Sequence, residues 1–484
     1  METFKTNPTI ISFITRIDLI VFTAVIIVTI VAVLWGNYLK EKSNSEDAGF
    51  LDHLLMGRQL TLPMFIATLV ATWYGGIFGV TAIAFEKGIY NFITQGFFWY
   101  ITYIIFALFL VKKIKSMDSI TLPEIVGKIY GPKSQKISAL FNFFNVVPIA
   151  YAVSLGLFLQ SIFGGSVELM TLIGVAFVVA YSIKGGFRSV VFSDLVQFVV
   201  MCTSVMLILF FSVYKFGGLE FLKTHLPERH FSLTGGESLW TTFAWGLIAL
   251  STLVDPNFYQ RCFAAYSVKV AKKGILISTV IWVVFDICTT SGAMYAAAVI
   301  PKADPKIAYL SYGIQILPDG LRGFVLAGIL ATILSTIDSY IFTAGTTLTY
   351  DIGPRKYARN PNSHHLSIIF VGLLAVMMAS FFEGDIKSIW KTLGSYSAAC
   401  LLFPVLIGYV IPNKLNDYDF IWASIIGAVA TTYWRLSEHS SFWQDIDELY
   451  IGILATAIIL FIRLALKFKK GRNENIVLEN NNDI

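Results

Sequence analysis

Apolar runs of about 20 residues recur along the whole chain, separated by short polar segments. A helix of this length crosses a hydrocarbon layer roughly 30 Å thick. Backbone polar groups find no water in lipid, so such spans must be helices or barrel strands, and barrel strands alternate apolar and polar residues. These runs do not alternate, so they predict an all-α membrane protein with about thirteen transmembrane helices. The predicted spans are 17–36, 61–84, 90–112, 137–163, 168–183, 189–214, 238–256, 271–299, 322–349, 365–382, 387–411, 419–434 and 449–467.

The composition agrees with this pattern. Hydrophobic residues make up 56% of the 484 residues and charged residues only 14%, whereas soluble domains average roughly 25% charged residues. The longest loops between spans hold about 20 residues, which is too short for a separate hydrophobic core. We therefore expect residues 1–484 to form a single transmembrane domain, with any chemistry carried out among the helices.

The distribution of lysine and arginine predicts the orientation in the membrane. With the N-terminus outside, about 24 basic residues fall in cytoplasmic segments and about 12 fall outside. The sequences KKIK at 112–115 and KFKKGR at 467–472 contribute strongly to this difference. The pattern predicts a multi-pass protein of the cell (inner or plasma) membrane, with its N-terminus outside and its C-terminus in the cytoplasm.

Glycines interrupt the second span, whose sequence from residue 62 is LPMFIATLVATWYGGIFGVTAIAF. Gly75, Gly76 and Gly79 are costly in a regular helix. They allow either close packing between helices or a discontinuous helix whose freed carbonyls face a cavity. Trp245-Gly246 marks a second candidate interruption in the seventh span. Interrupted helices at the start of two five-span groups indicate an inverted repeat with the binding site between its halves.

Hydroxyl and carboxyl groups cluster within two turns of the ninth span, at Thr332, Ser335, Thr336, Asp338 and Ser339. Hydroxyls in a membrane helix often bond only to the carbonyl four residues earlier. A carboxylate inside a span, however, costs roughly 2.5–3.5 kcal/mol on insertion scales. Hard oxygen ligands at this density suit a small hard cation such as Na⁺. We interpret the cluster as an ion site.

Other polar residues inside the spans leave alternatives open. Asp194, near the start of the sixth span, either is solvated or paired with Arg188, or is a ligand of a second ion. Asp286, in the eighth span, fits a pairing with a neighbouring helix. Asn142 and Asn145 in the fourth span either join helices or line a solute cavity.

Three segments resemble those of the sodium:solute symporter family. They are GGFRSVVFSDLVQ at 185–197, DPNFYQR at 255–261 and AGILATILSTIDS at 327–339. Together with ATWYGG at 71–76 and the span pattern, the resemblance covers most of the chain. Members of this family carry sugars, sialic acids, proline, monocarboxylates, vitamins or choline.

The resemblance implies a fold and ion sites. The fold would be the five-plus-five inverted repeat shared with the leucine transporter, with repeats at about 61–214 and 238–411. Flanking helices would cover 17–36, 419–434 and 449–467. The implied principal sodium site uses the carbonyls of Ala71, Tyr74 and Thr332 with the hydroxyls of Ser335 and Thr336. An implied second ion site uses Asp194, Asp338 and Ser339, although Asp338 stands where the family has a hydroxyl.

The solute site is less defined by the sequence. The fourth span has no Arg or Lys at mid-depth, so it lacks the carboxylate anchor of sialic acid carriers. The segment ATWYGG also resembles that of choline transporters, and Trp73 and Tyr74 could make cation–π contacts. These features favour a neutral or cationic solute. The expected lining is Gly75, Gly76, Phe78, Trp99, Tyr103, Asn142, Asn145, Thr242 and Trp245.

The resulting prediction is a sodium-coupled symporter that imports a small organic solute by alternating access. A proton-coupled symporter of the same fold is an alternative, because a buried carboxylate can take up a proton instead of binding a cation. A membrane sensor would be fused to a kinase, and the polar segment after the last span is too short for one. An enzyme would need a catalytic histidine, a metal or a nucleophile–base pair, and we identify none. We expect Na⁺, the solute and the bilayer as partners, with no cofactor, no nucleic acid and no obligate protein partner.

Overall fold

Helices form the architecture of this protein, as seen in a computed structural model. The structure describes residues 4, 10–41, 46–183, 186–358, 360–382, 385–412 and 414–482. Within these ranges, nine helices are long and apolar enough to cross a membrane on their own. The other predicted spans correspond to interrupted, shorter or more polar helices. The predicted all-α membrane fold is confirmed.

Among the described residues, the first half of the chain holds twelve α-helices. Pro148 separates α8 from α9, and the long α11 closes this half. The helices are α1 (Arg16–Glu41), α2 (Glu46–Leu55), α3 (Leu62–Ala71), α4 (Ile77–Lys87), α5 (Phe98–Ile105), α6 (Val111–Ser116), α7 (Leu122–Tyr130), α8 (Pro132–Val146), α9 (Ile149–Phe163), α10 (Val167–Ser182), α11 (Phe187–Phe216) and α12 (Leu219–His225).

The second half holds ten more. Two of its long helices, α15 and α17, pack around the interrupted second span, and α21 and α22 pack against each other at its C-terminal end. The helices are α13 (Leu239–Leu250), α14 (Pro256–Ala264), α15 (Val268–Val299), α16 (Ala308–Ile316), α17 (Leu321–Thr346), α18 (Pro361–Ser380), α19 (Ile386–Ser397), α20 (Phe403–Val410), α21 (Asp417–Leu436) and α22 (Glu448–Asn482).

The second predicted span is a discontinuous helix. The α3 helix ends at Ala71 and α4 begins at Ile77, so residues 72–76 form a non-helical link. Glycine is required there by close neighbours: a Cβ atom at Gly75 would lie 2.5 Å from the Cβ of Thr336, and one at Gly76 would lie 1.9 Å from a ring carbon of Trp390. The glycines therefore serve close packing and the interruption at once.

The seventh predicted span is also interrupted, but not at Trp245-Gly246. Both of those residues lie inside α13, and the interruption follows Leu250 as a 3₁₀ turn at Ser251–Val254. The physical reason is Pro256, which disfavours helical backbone at the preceding residue and suits the first turn of a new helix. The carboxylate of Asp255 caps that helix by accepting the backbone N–H of Asn257 at 2.8 Å and of Phe258 at 3.1 Å.

Two groups of packed helices hold the interrupted second span. The α11 and α17 helices pack along each other, and α1 covers both. On the other side, α15 packs against α3 and α4. The interrupted helix is thereby held between α15 and α17.

In the part of the chain that the structure describes, four stretches are π-helical turns, in which the hydrogen bonds span one more residue than in an α-helix. Two of them flank α5, the helix that carries Trp99, Tyr100 and Tyr103. The π turns are Phe92–Phe97, Phe106–Leu110, Thr347–Ile352 and Ala398–Leu402.

The cap at the second interruption gives a stability prediction. Asp255→Ala removes the acceptor for two backbone N–H groups of α14 and should destabilise the protein by about 1 kcal/mol. Thermal unfolding of the purified protein should show a lower melting temperature. Asp255→Asn keeps a capping oxygen and should melt close to the wild type. Equal melting temperatures for the alanine and asparagine variants would contradict this role.

Candidate sodium and solute sites

The hydroxyl pair of α17 lies against the end of α3. The Ser335 hydroxyl is 2.8 Å and the Thr336 hydroxyl 3.3 Å from the carbonyl oxygen of Ala71. The last carbonyls of a helix have no N–H partner within that helix. The interruption after Ala71 therefore leaves acceptors free, and α17 presents hydroxyls to them.

These hydroxyls also face carbonyls of their own helix. Ser335 lies 2.8 Å from the Ala331 oxygen, and Thr336 lies 3.0 Å from the Thr332 oxygen. Each hydroxyl has one proton and can donate to one acceptor at a time. Each hydroxyl can therefore donate either to the Ala71 carbonyl or to a carbonyl of α17.

The structure brings four of the five expected principal-site residues together: Ala71, Thr332, Ser335 and Thr336. The fifth, Tyr74, lies three residues after Ala71 within the interruption. Its hydroxyl donates a hydrogen bond to Asp286 on α15. A sodium-binding role for the five residues stays a prediction.

A buried arginine occupies the neighbourhood of Asp194. Both side chains are fully buried, and the nearest Arg261 nitrogen is 3.8 Å from a carboxylate oxygen of Asp194. The Thr68 hydroxyl donates to Asp194 at 2.5 Å. Arg261 itself donates to Ser339 at 2.9 Å, to Thr68 at 3.0 Å and to Thr72. Asp194 is thus paired within the protein.

The three residues expected to form a second ion site do not converge. Ser339 and Asp194 both lie close to one nitrogen of the Arg261 guanidinium, whose charge disfavours a further cation there. Asp338 instead accepts a hydrogen bond from Ser182 on α10. Successive residues of an α-helix point about 100° apart, which separates Asp338 from Ser339. The alternative pairing of Asp194 with Arg188 is not formed either, because Arg188 pairs with Asp52.

A cavity of about 120 Å³ lies beside the interruption of α3 and α4. One buried water needs roughly 10–15 Å³, so this space suits a small organic molecule. Aromatic side chains dominate its wall. Of the residues expected to bind the solute, Gly76, Trp99, Tyr103, Asn145 and Trp245 line it.

Four expected lining residues lie elsewhere. Phe78 is buried in the hydrophobic core, and Gly75 packs against Thr336 and Tyr151. The Thr242 hydroxyl bonds to the Ser238 carbonyl of its own helix at 3.0 Å. Asn142, nearly one turn from Asn145, lines a separate smaller cavity.

The partners of Asp286 and the inward position of Arg261 were not predicted from the sequence. Asp286 contacts Tyr74 and Tyr100, which are distant in the sequence, so nothing local marks the cluster. Arg261 falls between two predicted spans, where a basic residue is ordinarily a loop residue. The available signal was the Asp255-Pro256 pair, which predicts a short helix that would carry Arg261 inward.

Comparison with known proteins identifies relatives along most of the chain. The model of the sodium:solute symporter family matches residues 53–427. The high-affinity proline transporter PutP of Bacillus subtilis is 26% identical over 374 residues, which cover 72% of this chain and 76% of the relative. The sodium/pantothenate symporter of Haemophilus influenzae is 26% identical over 328 residues, covering 60% of this chain and 66% of the relative.

Solved structures share the fold. A Na⁺-coupled sialic acid symporter, in a substrate-bound outward-open state, superposes with a TM-score of 0.76 at 16% identity, covering 93% of this chain and 98% of that one. The inward-facing conformation of Mhp1 gives a TM-score of 0.54 at 13% identity, covering 84% and 91%. With the family match extending from residue 53 to residue 427, the chain belongs to the sodium:solute symporter family.

Proposed function

We propose that this protein imports a small organic solute together with Na⁺ by alternating access. The observation that carries the proposal is the contact of the Ser335 and Thr336 hydroxyls with the Ala71 carbonyl. These groups belong to different proposed repeats, 61–214 and 238–411. A Na⁺ ion bound between them would stabilise one arrangement of the repeats over others, which is a shift of population.

The ion site and the solute cavity share one segment. Gly75 packs against Thr336, while Gly76, the next residue, lines the cavity. An ion that orders residues 72–76 would therefore also shape a wall of the cavity. This connection supports a thermodynamic coupling in which Na⁺ raises the affinity for the solute, and the solute raises the affinity for Na⁺.

The driving force would be the inward sodium gradient. The membrane potential adds about 2.3 kcal/mol per charge per 100 mV. The solute crosses unchanged, so no catalytic group and no cofactor besides the coupling ion is required. The excess of basic residues in alternate loops supports an N-terminus outside the cell and a cytoplasmic C-terminus.

Proton coupling is the second candidate, and Asp338 is the observation that favours it. This carboxylate is buried and accepts a hydrogen bond from Ser182. Among the described residues, no lysine or arginine forms an ion pair with it. A buried carboxylate without a counter-charge can bind a proton.

The sodium site predicts ion-dependent stability. A ligand that binds only the folded state stabilises it by about 2.7 kcal/mol at a hundredfold excess over its Kd. Replacing K⁺ by Na⁺ should therefore raise the melting temperature of the purified protein. Ser335→Ala and Thr336→Ala should abolish this increase, because each removes a ligand oxygen.

Thr347→Ala is the matched control for that experiment. Its hydroxyl bonds to the Thr343 carbonyl at 3.0 Å, away from the interruption. This variant should keep the response to Na⁺. A response of equal size in the wild type and in both site variants would argue against the proposed site.

Uptake into proteoliposomes distinguishes the two coupling ions. Labelled sugars, amino acids, amines and carboxylates are offered with a Na⁺ gradient or a pH gradient imposed separately. Uptake should follow the Na⁺ gradient, fall strongly in Ser335→Ala and persist in Asp338→Asn. Full uptake on a pH gradient in Na⁺-free buffer, lost in Asp338→Asn, would overturn sodium coupling in favour of proton coupling.

A further inference from the structure

A buried carboxylate faces the central cavity. Asp286 on α15 is 2% exposed and contributes to the cavity wall. The hydroxyl of Tyr74 donates to one of its oxygens, and the hydroxyl of Tyr100 donates to the other. These two bonds fix the orientation of the carboxylate, since each oxygen is held by a donor from a different segment, the interruption and α5.

The hydrogen bonds leave the charge of Asp286 uncompensated. Among the described residues, no lysine, arginine or histidine lines the cavity, and none forms an ion pair with Asp286. The other carboxylate of the wall, Asp255, already accepts two backbone N–H groups at the start of α14. An ionised carboxylate in an apolar surrounding is costly unless a cation accompanies it. The cavity is therefore complementary to a positive charge.

The rest of the wall suits an organic cation better than a metal ion. Trp73, Tyr103 and Trp282 form a continuous aromatic surface, with ring centroids 4.4 Å apart for Tyr103 and Trp282 and 5.9 Å apart for Trp73 and Tyr103. Aromatic faces attract ammonium groups through the ring quadrupole, and this attraction is strongest when the cation is desolvated. Na⁺, by contrast, requires a shell of hard oxygen ligands, which the α17 hydroxyls and nearby carbonyls offer.

Other solute classes fit less well. A carboxylate would be repelled by Asp286 and would find no basic partner on the described wall. A sugar could bond to the amide, hydroxyl and indole N–H groups of the described lining, but it would leave the charge of Asp286 without a counter-charge. Neither class would bring a positive charge to the carboxylate of Asp286.

We propose that the solute is a small organic cation whose ammonium group binds between Asp286 and the aromatic surface of Trp73, Tyr103 and Trp282. This inference rests on the proposed function, because it takes the central cavity as the solute site. It assigns Asp286 as the residue that selects for positive charge, with Tyr74 and Tyr100 holding it in position.

The test compares cations with neutral molecules of the same shape. Binding to the purified protein is followed by tryptophan fluorescence, since several tryptophans line the cavity. The probe pairs are choline and dimethylbutanol, butylamine and butanol, and guanidinium and urea. At least one cation should bind about tenfold or more tightly than its neutral partner. Equal or weaker binding of every cation would overturn the inference.

Asp286→Asn removes the charge while keeping the size of the side chain. It should reduce the preferred cation's affinity by about tenfold or more and leave its neutral partner nearly unaffected. Asp351→Asn is the matched control, because Asp351 is buried outside the cavity, where it accepts the Thr121 hydroxyl at 2.7 Å. Unchanged cation affinity in Asp286→Asn, or equal losses in both variants, would overturn the role of Asp286.

Two further measurements keep the outcomes distinguishable. A Na⁺-dependent rise in melting temperature that persists in Asp286→Asn shows a folded variant and an intact ion site. If Na⁺ does not raise the melting temperature of the wild type, the proposed sodium coupling is contradicted. The preference for cations is then still tested, because the binding measurements can be made in K⁺. Should Asp286→Asn not fold, Tyr100→Phe keeps the ring and removes one hydrogen bond to the carboxylate. A cation affinity unchanged by Tyr100→Phe would then overturn the inference.

Discussion

The centre of this protein depends on a rule of membrane structure: backbone carbonyls inside a bilayer must find partners. The α3 helix ends at Ala71 in the middle of a span, and its last carbonyls lack the N–H groups that a continuous helix would supply. The hydroxyls of Ser335 and Thr336 reach the Ala71 carbonyl from α17. That contact requires α17 to lie close to the link, which in turn requires glycine at position 75. The interruption of the span, the close packing of α17 and the cluster of oxygen atoms therefore depend on one another.

Buried charge is handled in two different ways around this arrangement. Asp194 and Arg261 are both fully buried and lie together, and the hydroxyls of Thr68, Thr72 and Ser339 accept hydrogen bonds from the guanidinium. The two opposite charges compensate each other, and breaking the pair would leave an uncompensated charge. Asp286 has hydrogen-bond donors but no counter-charge among the described residues, and it borders open space. Asp194 and Arg261 join helices inside the protein, whereas the charge of Asp286 would be compensated only by a bound cation.

Much of this organisation could be predicted from local sequence. Span positions follow from apolar length, the first interruption from Gly75-Gly76, and the hydroxyl cluster from its spacing along one helix. The second interruption was misplaced at Gly246, because one glycine is compatible with a regular helix, whereas the Asp255-Pro256 pair carries the stronger local signal. The partners of Asp286 could not be predicted, since Tyr74 and Tyr100 are 212 and 186 residues away in the chain. The separation of Asn142 from Asn145 likewise depends on which helices surround α8.

The π turns on either side of α5 fix the angular phase of the residues between them. Each residue of an α-helix advances the side-chain direction by about 100°, so one residue more or fewer turns the following segment away from its neighbours. A π turn accommodates one extra residue locally, and such turns occur often at functional sites. Here they bracket Trp99, Tyr100 and Tyr103, all of which face the cavity. A substitution in α5 therefore changes one side chain of the cavity wall. An insertion or deletion in α5 would instead rotate Trp99, Tyr100 and Tyr103 together away from the cavity.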